Sequence, residues 1–319
     1  MQVARESAVY GGRLAGVALV QPSGILIIDK PAGMSSAKLV AIIKRVLGVK
    51  KAGHTGTLDP FATGVMVCCV NQATKLARFF LGGKKSYEAT LTLGVETDTQ
   101  DATGEVTAAC SETTFSEEAI VSVMKKFVGE IEQLPPVYSA LKHQGVRLYR
   151  LAREGRPVQK PARRVHISSI RLLSVDLPDV RFQVTCSAGT YVRTLCADIG
   201  ANLGCGGHMK SLKRTEACGF RLDEALQIST LERHAVSGRG FESMIPMAEA
   251  LKEFPEVVAD NSVARDILHG RPISKNAFSV EDGHQEKYIK VVDRDHRLLA
   301  VLTSCGDTGT YDYACVLGA

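Results

Sequence analysis

One carboxylate and one imidazole stand in a short run of small residues, Lys51-Ala-Gly-His-Thr-Gly-Thr-Leu-Asp-Pro60, which continues to Gly64. His54 and Asp59 are the only titratable side chains between Ala52 and Gly64. The glycines permit backbone conformations that are closed to other residues, and Pro60 disfavours a helix through Asp59. We therefore predict a tight, stiff loop that carries Asp59. Taken alone, the same composition also fits an ordinary turn.

Three further side chains have types that suit work on a nucleic-acid base. Tyr87 falls on a predicted strand, and Tyr191 and Arg193 fall in the first turn of a predicted helix. An arginine beside a carboxylate keeps it ionised and oriented, and an aromatic ring offers a surface on which a displaced base stacks. Together with Asp59 they would suit nucleophilic chemistry on a base taken out of its stack. Periodicity does not bring these residues together, and both tyrosines also fit core positions.

Motifs for metals and nucleotide cofactors are missing from the sequence. It contains no Walker loop, dinucleotide fingerprint, HExxH metal site or GxSxG nucleophile elbow. The nine cysteines form no CxxC pair and have no Cys/His spacing suited to zinc. We therefore predict a site without metal or cofactor, and reduced cysteines in a cytoplasmic protein. A glycosidase-like hydrolase is disfavoured because the run around Asp59 holds no second acid.

Positive charge is concentrated in one segment. Residues 142–164 contain eight basic side chains and one acidic side chain, Glu154. This excess of seven positive charges is larger than the net charge of +5 for the whole chain. Two smaller basic groups occur elsewhere in the chain: Lys44, Arg45, Lys50 and Lys51, and Lys210, Lys213 and Arg214. Three such groups favour a polyanionic partner, most simply nucleic acid. A membrane is disfavoured because no apolar run approaches the ~18 residues needed to cross one.

Hydrophobic periodicity predicts the elements that position these side chains. Strands are predicted over 24–31, 65–70, 86–95, 165–174 and 180–187, and helices over 72–81, from Ser35 or Ser36 to Gly48, from Ser116, and from a Thr190 cap. A short helix from Val146 to Glu154 is also compatible with the pattern. At 319 residues the chain is long enough for one sizeable core and a smaller domain. We predict a variable extension (1–22), a catalytic domain (23–250) and a small β-rich module (251–319).

Seven separate blocks between residues 24 and 250 resemble the TruB family of tRNA pseudouridine synthases. The first is the run from Gly53 to Gly64 described above. The other six follow in the order of the family: Asp29–Ser36, Lys85–Ala89, Gln133–Lys142, Tyr149–Gly155, Cys186–Leu195 and Leu212–Thr215. This likeness favours a functional loop over an ordinary turn around Asp59.

The resemblance implies an α+β pseudouridine synthase fold, with a mixed, largely antiparallel sheet flanked by helices and a small C-terminal PUA-like module that binds RNA. It implies isomerisation of uridine 55 in the T-arm of tRNA to pseudouridine without a cofactor. The N-glycosidic bond is broken, the base rotates, and C5 is joined to the sugar. The expected partner is therefore tRNA, and a monomer is the simplest assembly.

The resemblance also assigns roles by position. Asp59 matches the catalytic aspartate and Arg193 its ion-pair partner. Tyr87 matches the residue that stacks on the flipped uracil, and Tyr191 the tyrosine near the reacting carbon, often regarded as the base for the C5 proton. The expected substrate contacts are His54, which fills space in the T-loop, Leu212, which lines the pocket, Lys30, and three residues of a mobile RNA-gripping loop over 136–164, namely Lys142, Arg150 and Arg153.

Some features depart from the family pattern or leave alternatives open. Ala37 stands where a polar residue is common, and residues 1–22 have no counterpart. Guide-RNA-dependent, dyskerin-like relatives share much of the run around Asp59, whereas Phe61–Thr63 and Thr97–Asp101 look more like the stand-alone bacterial type. Two other hypotheses are therefore kept: a tRNA-folding chaperone, and a guide-dependent synthase subunit. The role of Asp59, as nucleophile towards base or sugar or as an aid to uracil departure, stays open.

Overall fold

The computed structural model describes residues 22–278, 287–303 and 309–318. The predicted N-terminal extension lies outside the described residues except for Pro22. Among the described residues, no helix is long and apolar enough to cross a membrane.

The strands of the described residues are numbered in chain order. They are β1 (Gly24–Lys30), β2 (Ala52–His54), β3 (Thr63–Val70), β4 (Lys85–Leu93), β5 (Val95–Thr97), β6 (Val106–Ala109), β7 (Gly129–Gln133), β8 (Lys142–His143), β9 (Val146–Arg147), β10 (Arg163–Asp176), β11 (Asp179–Cys186), β12 (Gly207–Ala217), β13 (Phe220–Arg221), β14 (Leu226–Gln227), β15 (Ile245–Pro246), β16 (Glu256–Val258), β17 (Ile273–Ser274), β18 (Tyr288–Val292), β19 (Leu298–Thr303) and β20 (Thr310–Val316).

The helices connect and cover these strands. They are α1 (Ser36–Leu47), α2 (Ala77–Phe80), α3 (Glu117–Lys125), α4 (Leu148–Arg153), α5 (Val192–Leu203), α6 (Ile228–Val236), α7 (Met247–Ala250) and α8 (Asn261–Leu268), with 3-10 turns at Asn71–Leu76, Leu222–Glu224 and Lys275–Ala277. Ser35 caps α1 and Ser116 caps α3, each accepting a hydrogen bond from a first-turn amide, as the sequence predicts.

A large sheet of eleven strands forms the body of the molecule. Eight of them follow in the order β14, β1, β3, β12, β4, β11, β10 and β7, and β2, β13 and β15 pair with β3, β12 and β1 respectively. Its pairs are antiparallel except for β1 with β14 and β3 with β12. The predicted mixed, largely antiparallel sheet is therefore confirmed. The chain runs β3 to β4 by way of the Asn71–Leu76 turn and α2, and β12 later inserts between those two strands.

Helices pack on the faces of the sheet where the strands present apolar side chains. On β4 and β11 the alternate apolar residues pack against α3 and α5 in one core, which contains Tyr87, Phe182 and Leu195. The opposite half of the sheet, β1 and β3, is apolar on both faces. One face packs against α1 and α6, and the other against the Asn71–Leu76 turn, α2 and the C-terminal strands. A strand that is buried on both faces reads as a continuous apolar run, which is the pattern of Val65–Val70.

The C-terminal strands form a second sheet with the order β16, β18, β19, β20, β17. It has its own core around Ile267, Ile289 and Leu302, and it contacts the large sheet through Val301 and Leu317. The predicted β-rich C-terminal module is therefore present, although α8 was not anticipated. Its PUA-like character and the three domain boundaries stay predictions.

Four elements differ from the sequence predictions. The segment 72–81 is a 3-10 turn followed by α2 and not one helix. Val95 lies beyond the end of β4, because Gly94, at φ +84°, separates it from that strand. The helix predicted from Val146 to Glu154 covers only Leu148–Arg153, because Val146 and Arg147 form β9. Tyr191, and not Thr190, is the N-cap of α5, since the Thr190 hydroxyl donates back to the Ser187 carbonyl.

Candidate active site

Asp59 lies on an eight-residue loop, residues 55–62, between β2 and β3; we call it the Asp59 loop. Its backbone is held on both sides of the aspartate. The Ser36 hydroxyl donates to the Leu58 carbonyl and accepts from the Leu58 amide, both at 2.9 Å. The Ala62 amide donates to the Asp59 carbonyl at 3.1 Å. The structure therefore has the stiff loop that the sequence predicts, with the Asp59 side chain about one third exposed.

Arg193 ties this loop to two other segments. Its side chain is 5% exposed, and its Nε lies 3.0 Å from Oδ2 of Asp59, an ion pair without the alignment of a hydrogen bond. Its Nη1 donates to the Thr99 carbonyl at 2.7 Å and its Nη2 to the Tyr138 carbonyl at 2.8 Å. A second carboxylate, Asp101, lies 3.5 Å from Nη1. The pairing of Asp59 with Arg193, expected from the resemblance, is thus present as a contact.

Asp101 is a neighbour of the Asp59–Arg193 pair that sequence reasoning missed. It is buried, and its Oδ1 accepts from the Thr99 hydroxyl, the Thr103 hydroxyl and the Thr103 amide. These bonds orient the carboxylate so that Oδ2 faces Arg193. The signal in the sequence was the Thr-x-Asp-x-Thr spacing of the turn at 99–103, in which a short carboxylate bonds its own backbone.

Tyr87 projects from β4 into the core that contains the Asp59 loop residue Leu58. It is 7% exposed, as the core interpretation of this residue predicts, and its stacking role stays a prediction. Burial raises the pKa of the Tyr87 hydroxyl, while the Arg214 guanidinium opposes this shift through its charge and a side-chain hydrogen bond. In the register of β4 and β12, Arg214 is the residue directly opposite Tyr87.

Arg214 corrects one sequence prediction. It was grouped with Lys210 and Lys213 as part of a basic surface, but it is 1% exposed. Its Nε donates to the Val65 carbonyl at 2.7 Å and its Nη2 to the Gly56 carbonyl at 3.1 Å. A guanidinium with this burial is unable to contact a polyanion in solvent, so only Lys210 and Lys213 of that group remain on the surface.

His54 ends β2, immediately before the Asp59 loop. Its Nδ1 is buried and has no hydrogen-bond partner among the described residues. Burial lowers the pKa of His54, and the nearby positive charges of Arg214 and Arg147 lower it further. The imidazole is therefore neutral near pH 7, and the substrate contact predicted for it stays a prediction.

Lys30 ends β1 and is completely buried. Its Nζ donates to the carbonyls of Pro31 at 2.9 Å, Met34 at 2.7 Å and Pro60 at 3.2 Å. Burial lowers the pKa of Lys30 to about 8, against the raising effect of the Asp59 charge. Lys30 thus holds the loop backbone beside Asp59. The substrate contact predicted for it stays a prediction.

Tyr191 is fixed through its backbone. Its amide donates to Oε1 of Gln133 at 2.7 Å, and Nε2 of Gln133 donates to its carbonyl at 3.0 Å. The Arg163 guanidinium lies 4.8 Å from the centre of its ring. Among the described residues Tyr191 has no contact with Asp59. The structure thus brings Asp59 and Arg193 into direct contact and bonds Lys30 to the neighbouring Pro60 carbonyl, but it leaves Tyr191 beside β7 and β10.

Leu212, on β12, lines a cavity of about 350 Å³. Phe61 and Thr63, which follow Asp59 in the chain, line the same cavity, and so does Ala89 of β4. The cavity therefore adjoins the C-terminal side of the Asp59 loop. Leu212 itself is 9% exposed and packs in the core with Tyr87.

Residues 136–164, here called the basic segment, form a separate structure beside the site. Lys142, on β8, and Arg150 and Arg153, on α4, are exposed. The segment is anchored by a few apolar side chains of α4, among them Leu148 and Leu151, which are buried. It is linked to the site by the bond from Arg193 to the Tyr138 carbonyl and by Arg163, whose guanidinium lies against the Tyr191 ring.

Across the ranges that the structure describes, no group of three or more His, Cys, Asp or Glu side chains is arranged to hold a metal ion.

Comparison with known proteins assigns this arrangement to a class. The description "TruB family pseudouridylate synthase (N terminal domain)" matches residues 44–192, and "tRNA pseudouridylate synthase B C-terminal domain" matches residues 193–252. Fold and site thus define a pseudouridylate synthase. A crystal structure of a Cbf5-Nop10-Gar1 complex aligns with a TM-score of 0.72 and 27% identity, covering 92% of this chain and 84% of that one.

Curated relatives narrow the class to one family. The tRNA pseudouridine synthase B of Syntrophotalea carbinolica is 45% identical over 235 residues, 74% of this chain and 76% of its own length. That of Burkholderia pseudomallei (strain 668) is 43% identical over 279 residues, 87% of this chain and 92% of its own length. The chain belongs to the TruB family of pseudouridylate synthases.

Proposed function

We propose that this protein is a tRNA pseudouridine synthase that isomerises uridine 55 in the T-arm. The reaction breaks the N1–C1′ glycosidic bond, rotates the uracil, and forms a C5–C1′ bond. The proton on C5 is lost and N1 gains one, so that no atom, electron or cofactor is consumed. The observation that carries the proposal is the 3.0 Å ion pair between Asp59 and Arg193 on a clamped loop, in a chain that belongs to a pseudouridylate synthase family.

In this proposal Asp59 acts on the flipped nucleotide, and Arg193 fixes the direction of its carboxylate. Tyr87 stacks on the uracil, and Leu212 lines the pocket next to it. Tyr191 takes the C5 proton, which requires an approach of its hydroxyl to the base in the complex with RNA. His54, neutral and half-buried, fills the space that displaced T-loop bases leave.

The partner is tRNA, held mainly outside the catalytic pocket. Lys142, Arg150 and Arg153 are exposed cations on the basic segment and supply phosphate contacts. The C-terminal module adds a second RNA contact, and Lys30 contributes through the loop. We further propose that the protein works as a monomer in the cytoplasm.

The deciding experiment is chemical mapping of pseudouridine in a T-arm stem–loop incubated with wild-type protein or with Asp59→Asn. We expect product at position 55 with wild type and none with the variant, while tRNA affinity changes by no more than a few-fold. Asp176→Asn, an exposed carboxylate at the end of β10, is the matched control and should keep full activity. Persistent turnover by purified Asp59→Asn would refute the assignment of the catalytic residue.

A tRNA-folding chaperone is a second candidate, favoured by the exposed charge of the basic segment. It is compatible with the first, because folding activity should survive Asp59→Asn whereas pseudouridine formation should not. The guide-dependent subunit has less support, since identity to the TruB relatives reaches 45% and to the Cbf5 chain only 27%. Modification of a naked tRNA transcript would exclude a requirement for a guide.

A further inference from the structure

Arg214 is the largest completely buried side chain that the proposed reaction does not use. A charged side chain is removed from water only at a considerable cost in free energy, which other contacts must offset. The hydrogen bonds recorded for its Nε and Nη2 go to backbone carbonyls, those of Val65 and Gly56, and not to a carboxylate. A residue that merely filled this space could be apolar, so the guanidinium needs a reason.

The two carbonyls lie on either side of Asp59 in the chain. Gly56 lies three residues before Asp59, and Val65 lies six residues after it, at the start of β3. Arg214 is thus bonded to the chain on both sides of the catalytic turn. The fork of a guanidinium reaches two acceptors in different directions, which the single ammonium of a lysine does less well.

The backbone of Arg214 also lies between two elements of the site, β3, which follows the Asp59 loop, and β4, which carries Tyr87. In the parallel register of β3 and β12 it is opposite Gly64, and in the antiparallel register of β12 and β4 it is opposite Tyr87. A Cβ at Gly64 would lie 2.2 Å from the Arg214 carbonyl oxygen, so the two chains approach as closely as a glycine allows. Arg214 therefore sits where the end of the loop and the strand of Tyr87 are joined through one residue.

The charge of Arg214 extends to the same set of groups. It opposes the rise in the pKa of Tyr87, and it contributes to the lowered pKa values of His54 and Lys30. The charge of this one guanidinium thus acts on three of the side chains that the sequence assigned to the site.

We propose that Arg214 is a positioning residue that fixes the Asp59 loop and the Tyr87 hydroxyl relative to each other. The proposal rests on the proposed function for its effect on rate. It differs from the surface role that the sequence suggested, because Arg214 reaches the RNA only through Asp59 and Tyr87. Its geometric part, the holding of the loop, is independent of the reaction.

The first test compares Arg214→Lys with wild type in single-turnover pseudouridine formation on the T-arm stem–loop, alongside the Kd for tRNA. Misplacing a reacting group by about 1 Å costs on the order of 100-fold in rate, and we expect a loss of about that size with a Kd within about 3-fold. Arg221→Lys is the control, since Arg221 lies on β13, which pairs with β12, is exposed and pairs with Asp223. A rate within about 3-fold of wild type for Arg214→Lys would overturn the proposal.

A double-mutant cycle with Tyr87→Phe tests the connection between the two groups. If Arg214 acts partly through the Tyr87 hydroxyl, the fold-loss of rate in the double variant should be smaller than the product of the losses in Arg214→Lys and Tyr87→Phe. A double-variant loss equal to that product would overturn this part of the proposal. Arg214→Gln is prepared in parallel in case the lysine variant does not fold.

Hydrogen exchange of the loop amides provides a measurement that does not depend on activity. The amides of Thr55, Leu58 and Ala62 are hydrogen-bonded to Val67, Ser36 and Asp59 respectively. We expect them to exchange at least about ten times faster in Arg214→Lys, with the amides of α6 unchanged. Unchanged loop exchange would overturn the proposal even if the wild-type protein modifies no RNA, whereas inactive wild-type protein with faster loop exchange would count only against the proposed function.

Discussion

The Asp59 loop and the basic segment are both irregular pieces of chain, and they meet at one residue, Arg193. The loop is held by buried polar side chains, among them Ser36, Lys30 and Arg214, that bond its backbone. The basic segment instead exposes its cations and is anchored by a few apolar residues of α4. A reacting carboxylate needs a fixed position, whereas contacts to phosphates need reach and charge. We therefore expect changes in the loop to affect the rate, and changes in the basic segment to affect affinity.

The largest effect is expected where the two regions meet. Arg193→Met leaves Asp101, which is 5% exposed, as a buried carboxylate without its cation. Breaking such a pair costs about 3–5 kcal/mol of stability, and the freed Asp59 side chain should lower the single-turnover rate by 100-fold or more. Thermal denaturation and the single-turnover assay measure the two losses. Arg221→Met removes an exposed pair with Asp223 and should change stability by less than about 1 kcal/mol.

Gly64→Ala tests whether the loop is as tightly held as its contacts indicate. Gly64 has φ +101°, and a Cβ there would meet the backbone of Arg214. We expect a loss of stability of about 3 kcal/mol and a slower reaction, because β3 must move away from β12. Gly33→Ala is the matched control, with φ +76° and no atom within 4 Å of the added carbon; its cost should be only about 1 kcal/mol. Equal losses from both variants would mean that the close approach to Arg214 is unimportant.

The two regions also differ in how far the sequence predicts them. The charge of the basic segment is visible in its composition, and the loop is visible in its Gly and Pro residues. Alternation of apolar residues likewise predicts β4 and β11, and the caps Ser35 and Ser116 predict two helix starts. These features are local, so a single sequence contains enough information to find them.

The contacts that make the site are not local. Arg193 meets Asp59 from 134 positions further along the chain (193 − 59), and no periodicity encodes that distance; only the family resemblance pointed to it. Arg214 was misplaced because β12 was not predicted as a strand. The register of β12 against β4 shifts beside Ser211 and again beside Glu216, which removes the regular alternation of apolar and polar residues along β12. In a strand, Lys213 and Arg214 point to opposite faces, and this would have separated the exposed residue from the buried one.

Removing charge from the basic segment should have a smaller effect, on affinity. We expect the combined change of Lys142, Arg150 and Arg153 to Gln to weaken tRNA binding and to flatten its salt dependence by about two units in slope. The single-turnover rate at saturating protein should change less than the Kd. The same triple substitution at Arg171, Arg233 and Arg239, exposed cations outside the basic segment, provides the control. Unchanged affinity at all salt concentrations would show that the segment does not contact phosphates.

The smallest effect, and the most specific for the loop, is the response of Lys30 to pH. Its pKa is lowered to about 8 by burial, so above that pH the neutral amine has two N–H donors for the three carbonyls it now serves. The Pro60 contact, the longest at 3.2 Å, is the one we expect to be lost first. The reaction should therefore slow as the pH rises through about 8, and Lys30→Met, slow throughout, should lack this step.

Stability should respond to the same titration with the opposite sign. The unfolded chain keeps the lysine proton up to about pH 10.4, so between about pH 8 and that value it binds more protons than the native protein. Lys30 therefore makes stability rise with pH in this window, because losing the buried charge removes its desolvation cost. The unfolding free energy of wild type minus that of Lys30→Met should therefore increase with pH over the range in which the wild-type rate falls. If rate and stability fell together, the loss of activity would come from general unfolding and not from the loop.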